Sequence, residues 1–154
     1  MITHVKKSRK DYKCSKCTEI IPKGSSYIRG ELNFAPAIIR CVKCGLKSYE
    51  VTTSDYIRSV GAIVEDWRND YSADESGRDC IVEDLANIMD ELQDRFDNMP
   101  EGLQLGDTGQ LLEERIDSLQ SAIDSLEYID FDDCSENTET FAELIDDALT
   151  CIEY

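Results

Sequence analysis

The chain has 154 residues, contains 33 Asp and Glu against 16 Lys and Arg, and carries a formal net charge of −17. Residues 1–58 hold twelve basic and five acidic side chains, whereas residues 59–154 hold four basic and 28 acidic ones. This excess of acid argues against simple nucleic-acid binding by the whole chain, because phosphates would be repelled at long range. No apolar run has membrane-spanning length, and no apolar signal-peptide core follows the basic residues 1–13. We therefore expect a cytoplasmic protein with reduced cysteines and no membrane partner.

Two C-x-x-C sequences, at residues 14–17 and 41–44, are the clearest motif. Each can present two thiolates from one tight turn, and the loop between them lets the two turns face each other around a tetrahedral ion. Four protein ligands leave no open coordination position, so the expected ion is a structural Zn2+ rather than a catalytic one. The predicted zinc ligands are Cys14, Cys17, Cys41 and Cys44.

Short strands are predicted around these cysteines. Residues 1–13 form either a flexible arm or a first strand, and strands are expected at residues 25–30 and 37–40, with a turn signalled by Pro22 and Gly24. Strands this short bury too little surface to be stable alone, so the metal would hold them together and the apo form would be largely unfolded here.

The hydrophobic period changes to three or four residues after Ser54, which predicts four amphipathic helices. Ser54 caps the first helix, and residues 72–77, which include Gly77, break it. The second helix covers about residues 78–98; Pro100 and Gly102 end it, and a loop is expected over residues 101–108. The third begins near Asp107 or Thr108, where Asp107 and Gln110 would form a variant of the capping box. The fourth covers about residues 138–152.

The third helix has a heptad seam, the pattern of a coiled-coil partner, at Leu112, Ile116, Leu119, Ile123 and Leu126. Short connections make consecutive helices antiparallel neighbours. The predicted fold class is therefore α+β. A small N-terminal four-cysteine zinc ribbon (residues 1–52) is followed by an acidic, antiparallel, mostly α-helical bundle or coiled-coil hairpin (residues 53–154).

Two stretches carry a likeness to a known family. They are KDYKCSKC with IPKG at residues 10–17 and 21–24, and FDNMPEGLQLGDTGQLLEER at residues 96–115. The first resembles the zinc-ribbon opening, and the second an internal stretch, of a family of small tailed-bacteriophage proteins of uncertain function. The resemblance implies a phage origin and a setting in the host cytoplasm, and it supplies no mechanism.

Sequence patterns for catalysis are missing. The only histidine is His4, and the chain contains no Gly-rich phosphate loop, no H-E-x-x-H and no G-x-S-x-G. The acidic residues 130–135 lack the Gly and the terminal Glu of a calcium loop. Cys80, Cys134 and Cys151 lie at no ligand spacing and are interpreted as small buried residues or free thiols. We predict a protein that is not an enzyme.

The acidic helices are the predicted surface for a host protein. A helix over residues 107–130 is roughly 35 Å long at about 1.5 Å per residue, and B-DNA of that length carries about 20 phosphates. Residues 79–130 contain fifteen acidic and two basic side chains. Such helices approach the charge density of DNA and are predicted to inhibit a host defence or nucleic-acid enzyme as a DNA mimic; ordinary solvated helix faces are the alternative. The candidate contacts are Glu83, Asp84, Asp90, Glu91, Asp94, Glu113, Glu114 and Asp117.

The alternative function is nucleic-acid binding or transcription regulation by the zinc ribbon. Its candidate contacts are Lys6, Lys7, Arg9, Lys10, Lys13, Lys16, Lys43 and Lys47. Tyr12, Tyr27 and Phe34 would supply rings on which bases stack. The same basic surface can instead dock on acidic helices of its own chain or of a second copy, so a homo-oligomer stays open.

Overall fold

The computed structural model describes residues 1–32, 35–131 and 138–152. It has an α+β architecture in which small antiparallel sheets precede the helices. The chain divides into two compact units, Met1–Arg58 and Ser59–Tyr154. Because this division coincides with the change of charge along the sequence, we refer to them as the basic unit and the acidic unit. The boundary between residues 52 and 53 that the sequence suggested stays a prediction.

The described residues of the basic unit form five strands. Strands β1 (Ile2–Val5), β4 (Tyr27–Gly30) and β5 (Ile38–Cys41) form an antiparallel sheet in the order β1-β4-β5. Strands β2 (Tyr12–Lys13) and β3 (Ile20–Ile21) form a separate antiparallel pair. The predicted strands correspond to β4 and β5, whereas the short β2 and β3 were not recognised.

The N-terminal segment is a strand and not a flexible arm. His4 of β1 is paired with Ile28 of β4. Gly30, at the far end of β4, has no room for a side chain, because a Cβ there would lie 2.7 Å from a Leu46 methyl and 2.9 Å from a Val51 methyl. This close approach packs the end of β4 against the two residues that flank the short 3-10 helix Ser48–Glu50.

Within the described part of the chain that follows, the α-helices are α1 (Asp55–Asp70), α2 (Glu75–Asp97), α3 (Glu101–Gln104), α4 (Asp107–Glu127) and α5 (Thr138–Leu149). The four long helices were predicted. The sequence predicts a loop where the short α3 lies, because Pro100 and Gly102 are usually stop signals.

One predicted helix start and one predicted helix cap differ from the structure. Helix α2 begins at Glu75, where the carboxylate of Asp74 accepts a hydrogen bond from the Gly77 amide (2.8 Å). Gly77 is not a helix breaker, since it lies where a Cβ would come within 1.8 Å of the Ser72 carbonyl oxygen. Helix α4 is capped by Gly106, and Asp107 is already helical, so the predicted capping box at Asp107 is wrong. The Ser54 cap of α1 is confirmed, because the Ile57 amide donates to its hydroxyl (3.4 Å).

Helices α2 and α4 pack side by side and run in opposite directions. At one end, the guanidinium of Arg78 donates to the carbonyl of Ile129 (3.2 Å). At the other end, Gln93 and Phe96 of α2 line a groove together with Glu113 of α4. Helix α4 also packs on α5.

The core of the acidic unit consists of apolar side chains that recur at helical spacing and are almost fully buried. They include Val60 and Trp67 of α1, Ile81, Leu85 and Leu92 of α2, Leu119, Ile123 and Leu126 of α4, and Ile145 and Leu149 of α5. The seam of α4 is therefore buried in its C-terminal half. Leu112 and Ile116, nearer its start, are only partly buried.

Across the ranges that the coordinates describe, no helix combines the length and apolar character needed to cross a bilayer.

Candidate metal centre and charged surfaces

The first cysteine pair lies in the turn between β2 and β3. The Cys14 amide donates to the Glu19 carbonyl (2.9 Å), and the Thr18 amide donates back to the Cys14 carbonyl (3.1 Å). Thr18 has a φ of +62°, a left-handed conformation that is rare for a β-branched residue. The turn therefore directs the Cys14 and Cys17 sulfurs to the same side.

The second cysteine pair lies at the end of β5. The amides of Cys44 and Gly45 both donate to the Cys41 carbonyl, at 3.2 and 3.3 Å. Gly45 has a φ of +65°, which glycine adopts without a Cβ clash. The chain therefore turns immediately after β5 and brings Cys44 back beside Cys41.

Hydrogen bonds join the two turns. The amide and the hydroxyl of Ser15 each donate to the Ile39 carbonyl at 2.8 Å. The Cys41 amide donates to the Cys14 sulfur (3.3 Å). The four sulfur atoms of Cys14, Cys17, Cys41 and Cys44 consequently lie within 4.8 Å of one another.

These distances fit a tetrahedral metal site. A metal–sulfur distance of about 2.3 Å separates the ligands of a tetrahedral site by roughly 3.8 Å, and the Cys17 and Cys41 sulfurs are 3.7 Å apart. A disulfide requires about 2.05 Å, so the cysteines are free thiols at metal-binding distance. The structure thus confirms the predicted four-cysteine cluster.

The protonation behaviour of the cluster also favours a cation. Burial raises the pKa of Cys14, but hydrogen bonds from the Cys41, Cys17 and Lys16 amides outweigh it and lower the pKa to about 6. Hydrogen bonding with the neighbouring Cys41 and Cys17 raises the pKa of Cys44 to about 12. Without a cation, Cys14 therefore ionises far more readily than Cys44, and a divalent ion would compensate the charge of the four thiolates.

The core beneath the cluster consists of Cys14, Ile21 and Tyr27, with Tyr12 packed on it. The Tyr12 and Tyr27 rings are 5.0 Å apart. Because Tyr27 is only 6% exposed, the prediction that it stacks on a nucleic-acid base is wrong. Phe34, the third predicted stacking residue, lies outside the described residues.

The eight predicted nucleic-acid contacts of the basic unit are all exposed. They belong to β1–β2, the two cysteine turns and the segment after Gly45. The Lys10 ammonium lies 5.5 Å from the centre of the Tyr12 ring, which is half-buried and remains accessible. The cations therefore form an exposed surface around one accessible ring.

The eight predicted partner contacts of the acidic unit are also exposed, on α2 and α4. Glu83, Asp90 and Asp94 recur at steps of seven and four residues, so they share the face of α2 that is opposite its buried residues. Two of the eight side chains have local partners: Glu91 pairs with Arg95 (3.6 Å), and Asp84 accepts a hydrogen bond from the Tyr71 hydroxyl.

Two further carboxylates on these faces were missed. Asp97 accepts a hydrogen bond from Gln93 (2.8 Å), and Asp124 accepts one from Gln120 (2.7 Å). Both follow the same helical spacing as the predicted residues, and that spacing could have identified them.

The remaining chemistry of the chain is limited. Among residues 1–32, 35–131 and 138–152, the four-cysteine cluster is the one group of three or more His, Cys, Asp or Glu side chains arranged to hold a metal. Cys80 and Cys151 are free and exposed. Cys134 and most of the acidic 130–135 segment lie outside the described residues. Comparisons of the chain with protein-family models, with curated proteins and with solved structures found no match.

Proposed function

We propose that this chain is a non-enzymatic phage accessory protein that binds a protein of its host through the acidic faces of α2 and α4. In this proposal the target is a host defence or nucleic-acid enzyme, and the acidic faces occupy its DNA-binding groove. The observation that carries the proposal is the exposure of all eight candidate carboxylates on two adjacent helices. Its setting is the host cytoplasm, which the resemblance of residues 10–24 and 96–115 to phage proteins supports.

The ion of the four-cysteine cluster in this proposal is Zn2+. An all-thiolate set suits a borderline-soft ion that accepts tetrahedral geometry, and closed sites of this composition are structural in zinc proteins. Cys14, Cys17, Cys41 and Cys44 would hold the ion, which would bind the two turns into a zinc ribbon. The basic unit then has a folding role, and the inhibitory surface belongs to the acidic unit.

The helices of the acidic unit are proposed to form an antiparallel bundle whose α2–α4 pair is a short hairpin. The contact between Arg78 and Ile129, and the buried half of the α4 seam, support this arrangement. Such a hairpin presents its outward faces as a rigid surface, because the opposite faces are fixed in the core.

The charge of this surface is comparable to that of DNA. Helix α4 has 21 residues, which is about 32 Å at about 1.5 Å per residue. A duplex of that length carries about 19 phosphates, and residues 79–130 have a net charge of −13 from fifteen acidic and two basic side chains. A DNA-binding groove lined with Lys and Arg would therefore attract it strongly at low salt.

A capture experiment tests this proposal. The tagged, zinc-loaded protein is incubated with nuclease-treated host lysate, and bound proteins are identified. Changing Asp90, Asp94 and Glu113 to their amides should abolish capture of the partner, whereas amide changes at Glu101 and Glu143, which are equally exposed, should not. A partner that is captured equally by all three proteins would exclude the α2–α4 faces.

Nucleic-acid binding by the basic unit is the second candidate, supported by its eight exposed cations. Fluorescence anisotropy of labelled single-stranded DNA or RNA with the full-length protein at low salt tests it directly. Binding should weaken with salt and on changing Lys6, Lys7 and Lys10 to Ala. No binding at low salt would eliminate this function.

A further inference from the structure

A groove in the acidic unit lies apart from the carboxylates discussed above. It has a volume of about 500 Å³ and lies between the C-terminal end of α4, with the residues that follow it, and the C-terminal half of α5. Pockets that bind ligands or anchor side chains commonly measure about 300–1,000 Å³. We name it the α4–α5 groove; its principal lining residues are Tyr128, Ile129, Leu144 and Ala148, together with Asp130 and Asp147.

The groove is open and mostly apolar. Ala148 is buried, whereas Leu144 is 38% exposed and Tyr128 is 91% exposed. Two further lining groups make hydrogen bonds within their own segments: the Ser125 hydroxyl donates to the Ser121 carbonyl (2.8 Å), and the Cys151 thiol lies 3.9 Å from the Asp147 carbonyl. The groove therefore offers apolar contact area and an exposed aromatic ring, which is the composition of an interface anchor site.

The electrostatics of the groove select the charge of its occupant. Asp130 and Asp147 contribute one carboxylate from each of the two lining segments. The last turn of α4 also lines the groove, and the dipole of that helix places partial negative charge there. Residues 59–154 as a whole have 28 acidic and four basic side chains. An anionic or membrane-like acidic surface would be repelled, while Lys and Arg would be attracted.

From these observations we propose that the α4–α5 groove binds the apolar face of a basic amphipathic helix from a partner protein. Leu144, Ala148 and Ile129 receive the apolar anchors of that helix, and Tyr128 packs along it. Its Lys and Arg side chains reach Asp130 and Asp147. An open groove between two helices suits a helix better than a small ligand, which needs enclosure on most of its surface.

This surface is independent of the α2 and α4 carboxylates of the proposed function. A partner can therefore bind in the groove even if those carboxylates bind nothing. The two proposals are separated experimentally, because the variants below leave Asp90, Asp94 and Glu113 unchanged.

The test uses the full-length, zinc-loaded protein and a synthetic fluorescent peptide. The peptide has about 18 residues, which is five helical turns, and places Leu on one face and Lys on the other. A scrambled peptide of the same composition, and a version with Glu in place of Lys, are the controls. Anisotropy should show saturable binding of the amphipathic basic peptide and at least tenfold weaker binding of both controls. Equal binding of the scrambled peptide would overturn the proposal.

Variants then locate the site. Tyr128→Ala and Leu144→Glu should each weaken peptide binding about tenfold, a common cost of losing one anchor of an interface. Leu105→Glu is the matched control, because Leu105 is 84% exposed and lies outside the groove. Tyr128 is so exposed that its removal leaves the core intact, so a loss in that variant is not a folding defect. Unchanged binding in both groove variants would refute the assignment.

Two further measurements decide the charge and the identity of the occupant. Asp147→Lys should weaken binding more than Glu143→Lys, which makes the same charge change on the same helix outside the groove. Equal effects would overturn the role of the groove carboxylates. Sedimentation equilibrium of the protein alone should show no association through the groove; a dimer that Leu144→Glu dissociates would identify a second copy as the occupant and refute the proposal.

Discussion

Loss of the metal should unfold the basic unit and leave the acidic unit folded. The perturbation is either a chelator or the change Cys41→Ser, which replaces one ligand by a poorly coordinating hydroxyl. Cys80→Ser is the matched control, because Cys80 is a free, exposed cysteine outside the cluster. Zinc content should be about one ion per chain in the wild type and the control, and close to zero after Cys41→Ser.

The expected magnitude follows from what else stabilises the basic unit. Its large buried apolar side chains ahead of α1 are Ile21, Tyr27, Ile28 and Tyr49. At about 1.5–3 kcal/mol each they contribute about 6–12 kcal/mol before the cost of ordering the chain. A structural zinc site contributes about 10–16 kcal/mol in apparent terms, while whole domains are stable by only about 5–15 kcal/mol. The free energy lost with the ion is therefore larger than the stability that the remaining contacts give the basic unit.

Two assays report on the two units separately. Trypsin should cleave the basic unit rapidly once the ion is lost, since residues 1–58 contain twelve of the 16 Lys and Arg residues. Trp67 is the only tryptophan and is 2% exposed in the acidic unit, so its emission should stay unchanged. A red shift of Trp67 emission on chelation, or continued trypsin resistance of residues 1–58, would contradict this reasoning.

Three further predictions concern the acidic unit. Asp146→Asn should lower the free energy of unfolding by about 1–3 kcal/mol in urea titrations, because Asp146 accepts hydrogen bonds from Trp67 and Arg68; Asp147→Asn on the same helix should have little effect. Leu119→Ala should cost about 2–5 kcal/mol by the same measurement, and Leu105→Ala less than about 0.5 kcal/mol, because Leu119 is fully buried and Leu105 is exposed. Burial and a neighbouring carboxylate raise the pKa of Tyr71, so the folded state retains a proton that the unfolded state loses above about pH 10. Stability should therefore fall above that pH in the wild type, and fall less in Tyr71→Phe.

The sequence predicts most of what local patterns determine. The spacing of the two C-x-x-C pairs is sufficient for the four-cysteine cluster, because a tight turn orients two sulfurs whatever the rest of the fold does. The helical period located α1, α2, α4 and α5 because each buries one apolar stripe.

The wrong predictions concern features that local sequence patterns do not determine. These features depend on contacts between residues distant in sequence, or on close packing of the backbone. β2 and β3 have two residues each and are defined by their pairing. Strands this short show no alternation of apolar and polar residues from which they could be predicted. Glycine usually interrupts a helix, but position 77 lies inside α2 and has no room for a Cβ beside the Ser72 carbonyl oxygen. The sequence predicts Tyr27 as a base-stacking residue, whereas in the structure Tyr12 and Ile21 pack against it and bury it.

The two units depend on different variables, and this difference allows function to be assigned to one of them. The basic unit is proposed to depend on a metal held by its four cysteines, whereas the described core of the acidic unit is apolar and lies mostly within the four long helices. Chelation should therefore abolish any activity of the exposed cations and spare an activity of the α2 and α4 carboxylates. High salt should weaken both electrostatic contacts, but it should weaken apolar binding in the α4–α5 groove less. An activity that survives chelation and is lost in high salt would then belong to the acidic faces, and one that survives both treatments would belong to the groove.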